Sequence, residues 1–362
     1  MARNKNHHFV PKAHLKPFSV EGRGKSIHLI NIERELFVEG ASCKGQCSSN
    51  YFYGPDDRID TSLGFLETRY GVIIQKLTAG ETPKGDDIEL LRLFALVQFC
   101  RTEAMVHFTQ TAIAGGHDLT FVGDWAQYRP PHRANWQASL SALSIAFSCF
   151  DYIRDLKLCI FRNKSRTEFV TSDNPAVVAN MWLWRQCQSH NFGFASSGAM
   201  LFLPLSPTME MCLYDGATYV CPGRHEIYKT LRNDQEVRAI NDLQILNAHK
   251  NVYFSNWSSR HLLLDAVKEG KELRPDNNAA LAAFVRDDAG RDLAYEGRRY
   301  RLATEEEKAR PMQKIVSLNR VLPVPRRWAS AFQIRPNPRV FSNGSAAGYV
   351  RAPHFSRRSR ST

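Results

Sequence analysis

Between Leu90 and Phe99 the chain reads LLRLFALVQF, apolar on almost every side of a helical wheel. A helix of that kind cannot sit on a surface, so its place is the centre of a core. The breaker Thr82-Pro83-Lys84-Gly85-Asp86 sets its start, and the pattern predicts a helix over about 86–113. Asp60-Thr61-Ser62 supplies capping groups for an earlier helix over roughly 62–79. A later one is predicted over about 133–155, after a loop with Pro130-Pro131.

Beyond residue 156 the periodicity changes. Lys157–Arg162 and Thr167–Thr171 read as short strands joined in a hairpin. Ala199–Leu205 and Met209–Tyr214 read as a second pair, with Ser206-Pro207-Thr208 at the turn. Helices are predicted over about 233–249 and 258–269, with a strand at Val252–Ser255 between them. Near the N-terminus, Lys25–Ile32 alternates in the manner of a strand and Leu36–Glu39 follows it. That early strand has too little sheet of its own and must join the later one. The layout is α+β, not the strict alternation of a parallel α/β fold. It implies a layer of three N-terminal helices on a mostly antiparallel sheet, with further helices after it. Residues 1–305 are expected to form one α+β domain, and 306–362 a disordered Pro-, Arg- and Ser-rich tail.

The tail matters for charge. The net charge is +12, and Lys308–Thr362 holds twelve basic residues and no Asp or Glu. Without those twelve, the 48 Lys and Arg fall to 36, equal to the 36 Asp and Glu. The body is therefore neutral, and the tail alone offers salt-sensitive affinity for nucleic acid. No apolar run reaches the roughly 20 residues that span a bilayer, and the polar N-terminus has no secretory pattern. No membrane association and a cytoplasmic location are expected. Several of the eight cysteines lie in apolar segments, where a reduced thiol acts as a small hydrophobe.

Candidate chemistry is sparse. His7-His8-Phe9-Val10-Pro11 could offer an imidazole as ligand or base. It could equally be a plug in which Val10, Leu15 and Phe18 enter the core while a His bonds a carbonyl. Thr171-Ser172-Asp173-Asn174-Pro175 ends an apolar strand, a position that aims a carboxylate into a cleft, yet Asp-Asn-Pro is also turn chemistry. Gln98 and Arg101, three apart, share one helix face. In an apolar setting they need partners, and Glu67 or Asp173 could supply them. Cys43 and Cys47 lack a second ligand pair for zinc. Walker, G-x-G-x-x-G, G-x-S-x-G and H-E-x-x-H motifs are absent.

In order, His8-Phe9-Val10-Pro11 with Leu15 and Phe18, Glu67, the Q-x-x-R of Gln98 and Arg101, Ser172-Asp173-Asn174-Pro175, Pro204–Pro207 and the helix bearing Asn241 and Asn247 resemble the bacterial domain of unknown function 4238, over roughly residues 6–256. The resemblance implies no activity. Its polar positions His8, Glu67, Gln98, Arg101, Asp173 and Asn174 lean toward a site. One reading is a metal-dependent phosphodiesterase or nuclease. Glu67 and Asp173 would hold Mg²⁺ or Mn²⁺, His8 would act as base, Arg101 would face phosphate, and the tail would help hold nucleic acid. The other is a non-enzymatic binding or regulatory module in which the same residues form a structural charge network.

Overall fold

The chain opens in strands before any long helix forms. The computed structural model describes residues 5–120, 135–187, 192–221, 227–275, 279–295, 297–310, 312–342 and 348–358. First come β1 (Asn6–His8), α1 (Lys12–Leu15), β2 (Ser26–Asn31), β3 (Leu36–Ser42) and β4 (Ser48–Asn50). Helices α2 (Arg58–Thr78), α3 (Gly85–Cys100), α4 (Glu103–Thr120) and α5 (Asn135–Cys149) follow. Next are β5 (Lys157–Asn163), β6 (Thr171–Ser172), β7 (Val177–Ala179), α6 (Met181–Cys187), β8 (Met200–Ser206), β9 (Met209–Tyr214), β10 (Tyr219–Val220) and β11 (Tyr228–Leu231). Then come α7 (Asp234–Asn247), β12 (Asn251–Phe254), α8 (Arg260–Lys271), β13 (Ala279–Arg286), β14 (Leu293–Tyr295) and β15 (Arg298–Leu302). Last are α9 (Glu305–Ala309), β16 (Ile315–Arg320), β17 (Gln333–Ile334), β18 (Phe341–Ser342), β19 (Tyr349–Val350) and α10 (Ala352–Arg358).

The α+β class holds, in mostly antiparallel sheets. One sheet has the order β11-β5-β9-β8-β7, with β11 and β5 parallel; a second has β3-β2-β12-β6. The early strand β2 pairs with β3 on one side and β12 on the other, and so joins strands from later in the chain. Helix α3 lies at the centre, with Leu90, Leu91, Phe94, Leu96 and Val97 buried. Tyr70 of α2 stacks on Phe94 at 3.6 Å between ring centroids.

Three expectations need correction. The N-terminal part is not a layer of three helices, since strands precede it and the long helix of 86–113 is two. Arg101 leaves helical geometry at φ −92°, ψ 3°, and the Thr102 hydroxyl accepts from Met105 N–H at 3.4 Å, which starts α4 afresh. The hairpin of 157–162 with 167–171 does not form. Asn163 ties its own turn by donating to the Thr167 carbonyl at 2.6 Å. The chain then crosses to the second sheet, where β6 pairs with β12. The third difference is the tail. Residues 315–320 pair with β13, β17 pairs with β10, and Arg351 is buried. Carboxylates of the body hold it: Arg326 meets Glu272 at 2.9 Å, Arg327 meets Asp242 at 2.9 Å, and Arg351 meets Asp155 at 2.7 Å. Three of the tail's arginines are thus paired with carboxylates of the body. Pro130-Pro131, residues 133–134 and Arg360 lie outside the described residues.

Candidate functional site

The first motif folds as a plug. After β1 pairs with β4, Phe9 N–H donates to the Cys47 carbonyl at 2.9 Å. Pro11 then sets up α1, and Phe9, Val10, Leu15 and Phe18 are buried in the main core. Between His8 and Val10 the carbonyls are drawn inward, where they need donors. Helix α3 provides them. Gln98 Nε2 donates to the Phe9 carbonyl at 3.0 Å, and Arg101 Nη2 donates to the His8 carbonyl at 2.7 Å. The i, i+3 spacing of these two residues thus matches successive carbonyls of the plug.

Arg101 is buried and does more. Its Nη2 also donates to Glu67 Oε1 at 2.7 Å, and its Nε donates to the Tyr53 hydroxyl at 3.0 Å. The Tyr53 hydroxyl in turn donates to the His8 carbonyl at 3.2 Å. Burial pushes the Tyr53 phenol up to about 12. Burial also works against the Arg101 charge, yet Tyr53 and Glu67 outweigh it and hold its pKa above the ordinary value. The His8 imidazole is lowered to about 4 by burial and then by Lys12, so it is neutral near pH 7. Among the described residues, His8 Nε2, Gln98 Oε1 and Arg101 Nη1 are buried without a hydrogen-bond partner.

The second motif is a turn lock. Asp173 Oδ1 accepts from His249 N–H at 2.7 Å, and Oδ2 accepts from Lys250 and Asn251 N–H at 2.8 and 3.0 Å. Those donors form the turn from α7 into β12, so one carboxylate fixes the exit of a helix. Burial pushes Asp173 up to about 6, with the three N–H groups pulling the other way. Asn174 donates to the Asn247 carbonyl at 2.8 Å and accepts from the Thr102 hydroxyl at 3.0 Å. Helix α7 meets this edge with one polar face. Asn241 accepts from Val170 N–H at 3.1 Å, and Gln244 accepts from the Ser172 hydroxyl at 3.0 Å and donates to the Pro175 carbonyl at 2.7 Å.

The six sequence candidates therefore fall into two groups. His8, Glu67, Gln98 and Arg101 form one, while Asp173 and Asn174 form the other. Adjacent residues link them, since Arg101 serves the first and Thr102 the second. A further link was missed in the sequence: the buried His14 lies 3.2 Å from the Tyr70 hydroxyl and 2.9 Å from the Thr171 hydroxyl. Tyr53 was missed too, although an aromatic pair at Phe52-Tyr53 inside a Gly-, Ser- and Pro-rich loop was a usable signal.

Glu67 and Asp173 each serve other partners. Glu67 Oε1 accepts from Arg101, and both oxygens of Asp173 accept main-chain N–H groups. Among the described residues, no group of three or more His, Cys, Asp and Glu side chains is placed to hold a metal. Cys43 and Cys47 are core thiols whose pKa values burial raises. No helix among the described residues is long and apolar enough to cross a membrane.

A family model described as protein of unknown function (DUF4238) matches residues 6–258, and so spans both polar groups. No curated protein and no solved structure matches the chain.

Proposed function

The chain belongs to the family described as protein of unknown function (DUF4238), and for it we propose a non-enzymatic binding or regulatory role built on a structural charge network. The carrying observation is Asp173, a buried carboxylate whose two oxygens accept three main-chain N–H groups, so that most of its acceptor capacity goes into holding a turn. In this reading Gln98 and Arg101 hold the N-terminal plug, and Asp173 and Asn174 hold α7 and β12 in register. Asp173→Asn tests it. The amide puts a donor or a weaker acceptor where N–H groups point, and stability is expected to fall by roughly 1–3 kcal/mol in chemical denaturation. The purified protein is expected to show no Mg²⁺- or Mn²⁺-stimulated cleavage of nucleic acid or nucleotides. Metal-stimulated turnover that Asp173→Asn abolishes at unchanged stability would sink the proposal.

One observation favours a metal-dependent hydrolase as a second reading. Among the described residues, His8 Nε2 and Arg101 Nη1 are unspent, Arg101 joins the His8 carbonyl to Glu67, and it takes one Glu67 oxygen. A neutral imidazole with a free nitrogen can accept a proton, and a free guanidinium N–H can face an anion. That site would centre on Glu67 and exclude Asp173. Turnover lost in His8→Gln and Glu67→Gln but kept in Asp173→Asn is the pattern that would support it.

A further inference from the structure

Away from both polar groups, a cavity of about 500 Å³ opens between α7 and α8. It is the open mouth of a small second core. Val170, Ile245, Phe254 and Leu263 belong to that core and also line the cavity, which gives it an apolar floor. Its size suits a small organic molecule.

The rim is charged, and the balance is acidic. Two of its arginines are already matched. Arg166 pairs with Asp234 at 3.3 Å, and Arg327 reaches Asp242 at 2.9 Å and Glu269 at 3.0 Å. Glu168 accepts only a neutral hydroxyl, from Ser255 at 2.6 Å. Asp265 on α8 has no partner among the described residues. The third arginine, Arg238 of α7, acts on Asp242, so among the described lining residues three arginines face five carboxylates: Glu168, Asp234, Asp242, Asp265 and Glu269. In a chain of net charge +12, an apolar floor under surplus carboxylates stands out electrostatically. It favours positive charge and repels anions. Asp242 is held above its usual pKa by burial, against the pull of Arg327 and Arg238 and with a smaller contribution from Glu269.

We infer that this cavity binds a small organic cation with an apolar body, seated on Val170, Ile245, Phe254 and Leu263 with its charged end toward Glu168 and Asp265. This goes beyond the proposed function, which names no ligand, and the two fail separately. Metal-stimulated turnover dependent on Glu67 would end the non-enzymatic reading and leave the cavity's ligand untouched.

The test uses the full chain and a pair of probes matched in shape, phenethylammonium and 3-phenylpropanoate, followed by thermal shift and by ligand-observed NMR at low salt. A concentration-dependent rise in melting temperature is expected for the ammonium and none for the carboxylate. Asp265→Lys changes an exposed side chain, so it should fold, and it should weaken the ammonium's apparent Kd by about fivefold or more. Ala266→Phe narrows the cavity and should remove the response. Equal response to both probes, no response to either, or binding that persists undiminished in Asp265→Lys would overturn the inference.

Discussion

Two arginines are among the largest fully buried side chains of the molecule, and each ties one end of the chain to the body. Arg101 reaches out from the end of α3 and holds the N-terminal plug. Arg351 lies in the C-terminal tail and reaches in. Its Nε and Nη2 grip both oxygens of Asp155 at 2.7 and 3.0 Å. Its Nη1 donates to the carbonyls of Phe194 and Ser196 at 2.5 and 3.0 Å, and Nη2 also meets the Tyr152 carbonyl. Burial works against the Asp155 charge, yet Arg351 holds that carboxyl below its usual range. Every nitrogen of Arg351 is thus engaged, whereas Arg101 keeps Nη1 unspent beside two other orphaned atoms. A saturated guanidinium can only hold structure. An unsaturated one holds structure and still has a donor to offer.

The comparison breaks first on stability. Arg351→Ala strands Asp155 and several carbonyls, and removing one partner of a buried pair costs about 3–5 kcal/mol. Chemical denaturation of the full chain should show a loss of that size, with Asp155→Asn largely non-additive in a double-mutant cycle. A loss under about 1 kcal/mol would mean that the tail merely rests on the body. Arg101→Met should cost less, roughly 2–4 kcal/mol. Its Glu67 partner is 23% exposed and can rehydrate, and one of its nitrogens has no bond to lose. If Arg101→Met proves the costlier change, the ranking of the two knots is reversed.

How much of this was legible depends on the range of the signal. Helix α3 announced its burial through its own composition, and the plug was readable as one of two options because Val10, Leu15 and Phe18 are local. The pairing of β2 with β12 followed from the shortage of early strands. Arg101–Thr102 hid the helix break because neither residue is Gly or Pro, and the break is set by side-chain partners from elsewhere in the chain. Tail structure was invisible for a related reason. Its pairings are as short as two residues, β10 with β17 being one, and Arg351 is fixed by carbonyls some 150 residues away in sequence. The two motifs were each recognisable, but that Glu67 answers Arg101 while Asp173 answers the α7–β12 turn is a tertiary fact that spacing cannot carry.

A link between the N-terminal knot and the TSDNP edge can be read through pH. His14 bridges Tyr70 and Thr171, and burial lowers its pKa from 6.5 to about 3. The unfolded chain therefore takes up the proton first. Stability from this group is complete above pH 6.5 and is lost as pH falls toward 3, at about 1.4 kcal/mol per pH unit. By pH 5 the loss should approach roughly 2 kcal/mol. His8 and His249, both lowered to about 4 mainly by burial, add to the same slope. His14→Gln should remove one proton's share of that slope while keeping a hydrogen bond to Thr171. An unchanged acid slope would mean that this bridge is not what joins the two groups.

The smallest expected effect comes from Glu210, which shows why the two knots are both made of arginine. Glu210 sits on β9, fully buried, with only the Leu203 main chain near enough to favour its charge, and burial raises its pKa well above 4.5. A carboxyl can answer burial by keeping its proton, which an arginine cannot do, so the arginines must recruit partners instead. Because the folded-state pKa is raised, the unfolded chain gives up its proton first. Stability from this group is therefore present below pH 4.5 and falls as pH rises toward the folded value. Glu210→Gln removes that loss but buries an amide whose N–H groups need acceptors, at about 1–3 kcal/mol. The two terms oppose each other, so Glu210→Gln is expected to compare more favourably with the parent at pH 7 than at pH 4.5, where only the amide's cost remains. Denaturation curves at the two pH values decide it. A variant less stable than the parent by the same amount at both would mean that Glu210 is ionised in the fold and has found a partner as the arginines have.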